Sequence, residues 1–132
     1  AFSIDRRVIP EETADEAERE LLDFIEKAKK EIPGLEVKAK VKAKFDAAVT
    51  DPKMPLVQTA IKCAEEVIGV KPKTTVCIGG LDTRYYQVKG IQAITYGPGV
   101  LTAAHISDEY IYIDDMIKMA KIYTRIVLNL LR

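Results

Sequence analysis

The sequence has few of the residues from which small proteins build disulfide scaffolds or metal centres. Its 132 residues include no tryptophan, one histidine and two cysteines. Two cysteines cannot form a multi-disulfide framework, and one histidine cannot supply the three or more protein ligands of a zinc site. Cys63 falls in a predicted helix and Cys77 in a predicted strand, and we interpret both as small buried apolar residues.

An excess of charge and a long apolar run are also lacking. The 20 basic and 20 acidic residues give a formal net charge of +0, so no global field favours nucleic acid or an anionic membrane. The sequence contains no run of about 18 apolar residues and no signal-peptide pattern. We therefore expect a soluble cytoplasmic protein with no nucleic-acid and no membrane partner.

The first part of the chain predicts a strand followed by a helix. Residues 1–8 have the composition of a strand, and Thr13 to Glu16 form a capping box that starts the helix. Apolar residues at helical spacing continue to near Glu31, and Pro33 with Gly34 ends the segment. An amphipathic helix is therefore expected between two extended segments.

Residues 35–49 alternate apolar and charged side chains, which predicts a long strand with one solvated face. The lysines on that face permit two interpretations. They could form a patch for nucleic acid or a membrane, or they could be solvated residues that discourage aggregation of the strand edge. We favour the second interpretation because no aromatic-basic motif accompanies them.

The two prolines between Thr50 and Pro55 mark an internal boundary, because this stretch has no periodicity. Asp82 is a candidate N-cap for the middle helix of the second part, and Asp114 is one for a last helix that should be buried on two sides. The elements predicted after the boundary are a helix at 55–68, a strand at 74–78, a helix at 83–89, a strand at 91–96 and a helix that follows Asp114 and ends at Leu131.

Polar residues cluster after the two strands of this second part. Arg84 follows the first strand, and the Gly97 to Gly99 loop and then His105 follow the second. Parallel strands of an open α/β sheet present ligands at their carboxyl ends, where a guanidinium suits a carboxylate. Taken alone, Arg84 is more typical of a surface or ion-paired arginine, and the single histidine, His105, of a hydrogen-bonded structural residue.

Four short motifs follow one another in this region: Gly79-Gly80-x-Asp82-x-Arg84, Gly90-Ile91, Tyr96-Gly97-Pro98-Gly99 and Ala104-His105-x-x-Asp108-Glu109-Tyr110. Together they resemble the C-terminal part of the M20 metallopeptidases, a group that includes acetylornithine deacetylase, succinyl-diaminopimelate desuccinylase, aminoacylase and carboxypeptidase relatives. The family often has Thr or Ser where this chain has Leu81, which argues against a hydroxyl contact there and against the desuccinylase branch.

The resemblance implies a hydrolase that uses two zinc ions, or possible cobalt replacements, to cleave the amide bond of N-acyl amino acids or peptides. It implies that His105 binds one zinc, that Arg84 grips the substrate carboxylate, and that Gly97, Pro98 and Gly99 border the substrate. In such enzymes a glutamate deprotonates a zinc-bound water that then attacks the amide. We interpret Glu109 as a carboxylate near the metal ligand, with a direct metal contact as the alternative.

The same resemblance implies an α/β chain with an α+β first part. Residues 1–51 correspond to the second half of a ferredoxin-like lid domain, through which a homodimer is expected. Residues 52–132 correspond to the C-terminal αβαβα segment of a zinc-peptidase-like catalytic domain. The catalytic glutamate and the other metal ligands belong to the family's first half, so no catalytic residue is expected here and the chain alone should be inactive.

The alternative is a non-catalytic dimerisation or regulatory module derived from such an enzyme. Upstream coding sequence with an HxD pattern and a Glu-Glu pair would distinguish the two possibilities. In a ferredoxin-like sheet the strands near 2–7 and 35–49 would not be neighbours. We therefore expect the chain either to self-associate through residues 35–49 or to keep its first half loosely ordered, and residues 55–132 to be the better-formed half.

Overall fold

The computed structural model describes residues 1–77 and 79–131, which divide between two compact units, Ala1–Val49 and Thr50–Arg132. None of the helices in these residues is long and apolar enough to cross a membrane. The helices of the described residues are α1 (Ala14–Glu31), α2 (Pro55–Ile68), α3 (Thr83–Gln87) and α4 (Ile113–Leu130), with one 3₁₀ turn at Leu101–Ala103.

Polar contacts around the start of α1 hold the first unit together. The predicted capping box is confirmed: the Thr13 hydroxyl accepts from the Glu16 amide, and the Glu16 carboxylate accepts from the Thr13 amide at 2.8 Å. The Ala14 amide donates to Asp46 Oδ1 at 2.7 Å, which satisfies another unpaired donor of the helix end. Lys44 adds ion pairs to two carboxylates of α1, those of Asp15 and Glu18.

The predicted strands carry no strand assignment in residues 1–77 and 79–131. A strand is defined by ladder hydrogen bonds to a neighbour, so an alternating pattern alone does not produce one. The large side chains of Val41, Phe45 and Val49, in the apolar row at 35–49, are exposed. Ile78, the last residue of the strand predicted at 74–78, lies outside the described residues. The α/β fold class and the homodimer through the lid domain stay predictions.

The packing of α2 on α4 forms the core of the second unit. As predicted, α2 begins with Pro55 at its first position and ends before Gly69, whose φ of 80° is a left-handed conformation that glycine adopts at low cost. Cys63 and Ala64 of α2 form one buried cluster with Met119 and Ile122 of α4. Val67, Tyr96 and Ile126 pack against that cluster.

Three predictions about this unit are wrong. Asp114 is not the N-cap of α4, because the helix begins at Ile113 and places this carboxylate in its first turn. The sulfur of Cys77 is not buried but exposed, and it accepts a hydrogen bond from the Gly79 amide at 3.4 Å. The prediction that α4 is buried on two sides is also wrong. Ile117 and Val127 are about half exposed, and α2 covers the opposite face of the helix.

The middle helix is shorter than predicted. It ends at Gln87 instead of Lys89, and the Asp82 side chain makes no capping hydrogen bond. Gly90 has a φ of 71°, so the chain turns in the left-handed region two residues after the C-cap Val88.

Truncating Ile122, which is 0% exposed, tests the core. We expect Ile122→Ala to lower the free energy of unfolding by about 2 to 5 kcal/mol, because the lost contacts leave a cavity between α2 and α4. Ile117→Ala deletes the same atoms at a half-exposed position of α4 and should cost about 1 kcal/mol or less. Urea denaturation of both variants measures the difference, and equal losses would contradict the packing described here.

The ion pairs of Lys44 predict a pH dependence for the first unit. The hydrogen bond from Lys44 holds the pKa of Asp15 below its ordinary value of 3.8. The folded state is therefore stabilised above the unfolded pKa, and this contribution is lost as the pH falls through the lowered folded pKa. Because both groups are exposed, salt should also weaken it.

An NMR titration of the Asp15 carboxyl carbon measures this pKa directly. We expect Lys44→Met to raise it towards the ordinary value. Lys29→Met removes a lysine whose ion pair with Glu26 stays within α1, so it should leave the Asp15 titration unchanged. An Asp15 pKa that is the same with and without Lys44 would show that the ion pair does not form in solution.

Candidate functional site

Arg84 is the second residue of the five-residue helix α3. Its backbone carbonyl accepts from the Val88 amide at 3.1 Å, and the Ile91 amide closes the following turn on the Tyr86 carbonyl at 3.0 Å. The guanidinium carbon lies 4.7 Å from the centre of the Tyr85 ring, and one of its N–H groups donates to the Tyr85 hydroxyl at 3.1 Å. Stacking of this kind orients the guanidinium plane.

The Gly97 to Gly99 loop is fixed to α4 at its first end. The Tyr123 hydroxyl of α4 donates to the Tyr96 carbonyl at 2.5 Å, directly before Gly97. A Cβ on Gly97 would lie 3.9 Å from that hydroxyl, which is ordinary contact, whereas Gly99 has a φ of 105° that disfavours any side chain. Packing of the Tyr96 ring against the core also raises the pKa of its hydroxyl through burial.

The side chain of Thr50 links α3 to the segment that precedes this loop. Its hydroxyl donates to the Ala93 carbonyl at 2.6 Å and accepts from the side-chain amide of Gln87. All three residues are partly buried. Thr50 and Gln87 were not predicted from the sequence, because neither belongs to a motif and their contacts join residues far apart in the chain.

His105 follows the 3₁₀ turn Leu101–Ala103, whose last residue, Ala103, is 5% exposed and anchors the turn. The backbone of His105 has a φ of 65°, an uncommon conformation for a residue with a side chain. Its amide donates to Glu109 Oε2 at 3.0 Å, so the predicted partner carboxylate holds the loop at this position. His105 is an exposed residue.

The described residues do not form a complete metal site. Within residues 1–77 and 79–131, no group of three or more His, Cys, Asp or Glu side chains is placed to hold a metal ion. A catalytic zinc needs about three protein ligands, and His105 with Glu109 nearby supplies fewer. The imidazole can therefore contribute at most one ligand to a centre that other residues would have to complete.

The structure brings the predicted residues together in two groups. Arg84 stands in one group beside Tyr85, which was not predicted, and His105 and Glu109 form the other. A groove of about 410 Å³ lies between α3 and α4. Its lining is mostly apolar and includes Tyr86, Tyr96 and Ile126. The loop of Gly97, Pro98 and Gly99 leaves from the Tyr96 end of this groove.

No solved structure matches the chain. The model of one protein family, described as peptidase family M20/M25/M40, matches residues 5–129. The match covers nearly all of both compact units and includes each of the candidate site residues. The chain therefore belongs to peptidase family M20/M25/M40.

Proposed function

We propose that this chain is the C-terminal part of a metal-dependent hydrolase that cleaves the amide bond of N-acyl amino acids or peptides. The observation that carries the proposal is the match to the M20/M25/M40 peptidase family over residues 5–129. The family motifs from Gly79 to Tyr110 lie within that range. Deacetylase-type activity fits the resemblance better than desuccinylase activity, because Leu81 replaces the hydroxyl residue that the family often has.

Arg84 is the proposed anchor for the substrate carboxylate. A guanidinium offers planar donors that bind a carboxylate through two parallel hydrogen bonds, and this geometry gives both affinity and orientation. The Tyr85 ring at 4.7 Å supports the plane of the guanidinium. An amide substrate held by its carboxylate would present its acyl group away from α3, and the glycine loop after Tyr96 would allow its backbone to approach closely.

His105 is the proposed contributor to the metal centre, with zinc as the expected metal and cobalt as a possible replacement. Its exposed position and the hydrogen bond from its amide to Glu109 are compatible with one coordinating imidazole on a fixed loop. Bound metal would polarise the substrate carbonyl and lower the pKa of a water. Since the described residues do not complete such a site, a working centre requires further ligands.

Replacing Arg84 tests the substrate contact in the full-length protein. We expect Arg84→Ala to raise KM for an N-acyl amino acid by about 30-fold or more and to change kcat little, because a carboxylate contact is made in both ground and transition states. Arg84→Lys should recover part of the loss, since it restores the charge without the planar fork. Steady-state kinetics measures both constants.

Arg125→Ala serves as the matched control, because that arginine pairs with Glu66 elsewhere in the second unit. Its KM should stay close to that of the unaltered protein. If Arg84→Ala left KM unchanged and reduced kcat, the guanidinium would instead stabilise the transition state, and the proposed role as a carboxylate anchor would be wrong.

The 132-residue chain alone should show no metal-stimulated hydrolysis of N-acyl amino acids. The reason is that its described residues contain no group of three metal-ligating side chains. The assay adds zinc or cobalt to the purified chain and runs the full-length protein in parallel as the positive control. Metal-stimulated turnover by the chain itself would show that it carries a complete active site.

A further inference from the structure

One partly buried hydroxyl, that of Thr50, connects the two segments that carry the proposed substrate-binding residues. It donates to the Ala93 carbonyl at 2.6 Å and contacts the side-chain amide of Gln87. A hydroxyl has a single proton, and Thr50 gives it to Ala93, so the Gln87 amide must be the donor in the second bond. The two hydrogen bonds therefore form a chain with one direction, from Gln87 through Thr50 to Ala93, which we call the relay.

Both ends of this relay are near the proposed site. Gln87 is the last residue of α3, which contains Arg84, and Ala93 lies in the segment that leads through Tyr96 to the glycine loop. A helix of five residues cannot hold its own position in water, and the Asp82 side chain makes no capping bond to it. The placement of α3 therefore depends on contacts with other segments.

We propose that Thr50 and Gln87 are positioning residues for Arg84. By tying the end of α3 to the Ala93 carbonyl, they hold the guanidinium at a set distance from the glycine loop, so that the substrate carboxylate and the scissile amide are placed together. Both hydrogen bonds use the Thr50 hydroxyl, so its loss removes both contacts at once. The inference rests on the carboxylate-binding role proposed for Arg84.

The variants are Thr50→Val, which removes the hydroxyl and keeps the shape, Thr50→Ser, which keeps the hydroxyl, and Gln87→Leu. The control is Thr124→Val, because the hydroxyl of Thr124 donates to the Ala120 carbonyl within α4. Exchange of the α4 amides shows whether the core stays folded in each variant.

The first measurement is amide hydrogen exchange on the 132-residue chain and does not depend on activity. The Val88 and Ile91 amides report on α3, since they donate to the carbonyls of Arg84 and Tyr86. We expect about tenfold faster exchange of these two amides in Thr50→Val and Gln87→Leu, with little change in Thr50→Ser or Thr124→Val. Unchanged exchange in Thr50→Val would overturn the inference.

The second measurement is steady-state kinetics of the full-length protein on an N-acyl amino acid. Thr50→Val should raise KM about 3- to 10-fold with kcat retained, because the two hydrogen bonds that it removes position α3 and do not contact the substrate. Combined with Arg84→Ala, it should raise KM no further, because Thr50 acts through Arg84. An equal increase in both backgrounds would overturn the inference. If Arg84→Ala alone left KM unchanged, the proposed substrate contact would fail, and the exchange result would still decide whether the relay holds α3.

Discussion

The contact of α2 with α4 is the constraint on which the second unit depends. Cys63 and Ala64 are small enough to let the two helices approach, and Ile122, at 0% exposure, fills the space between them. Tyr96 packs on this cluster, and Tyr123 of α4 binds the Tyr96 carbonyl, so the glycine loop starts from a fixed point. The candidate site is thus attached to the most closely packed part of the unit.

The first unit depends on a different kind of interaction. Among its described residues only Ala17 is buried, and the segment at 35–49 is held to α1 by Lys44 and Asp46. Local signals predicted α1 and α2 well, because caps, proline and glycine act within a few residues. The strands could not be obtained in the same way, because a ladder needs a neighbouring backbone that a single alternating segment does not specify.

The candidate site shows the same division between local and distant information. The contact between His105 and Glu109 spans four residues, and a motif that includes both indicated that they belong together. Thr50 and Gln87 gave no such indication, since their bond joins a linker to a helix 37 residues away. The wrong expectation for Cys77 has a related cause: its burial was inferred from a strand that would have needed partners on both faces.

The proposed function depends on the binding of a substrate carboxylate by Arg84. It is tested most directly by comparing an N-acyl amino acid with its carboxamide as substrates of the full-length protein, since the two differ only in that group. A charge-assisted hydrogen bond contributes about 1.5 to 3 kcal/mol, so KM for the carboxamide should be about tenfold higher or more. Equal KM values for the two substrates would show that the enzyme does not bind the substrate through its carboxylate, and the role proposed for Arg84 would be wrong.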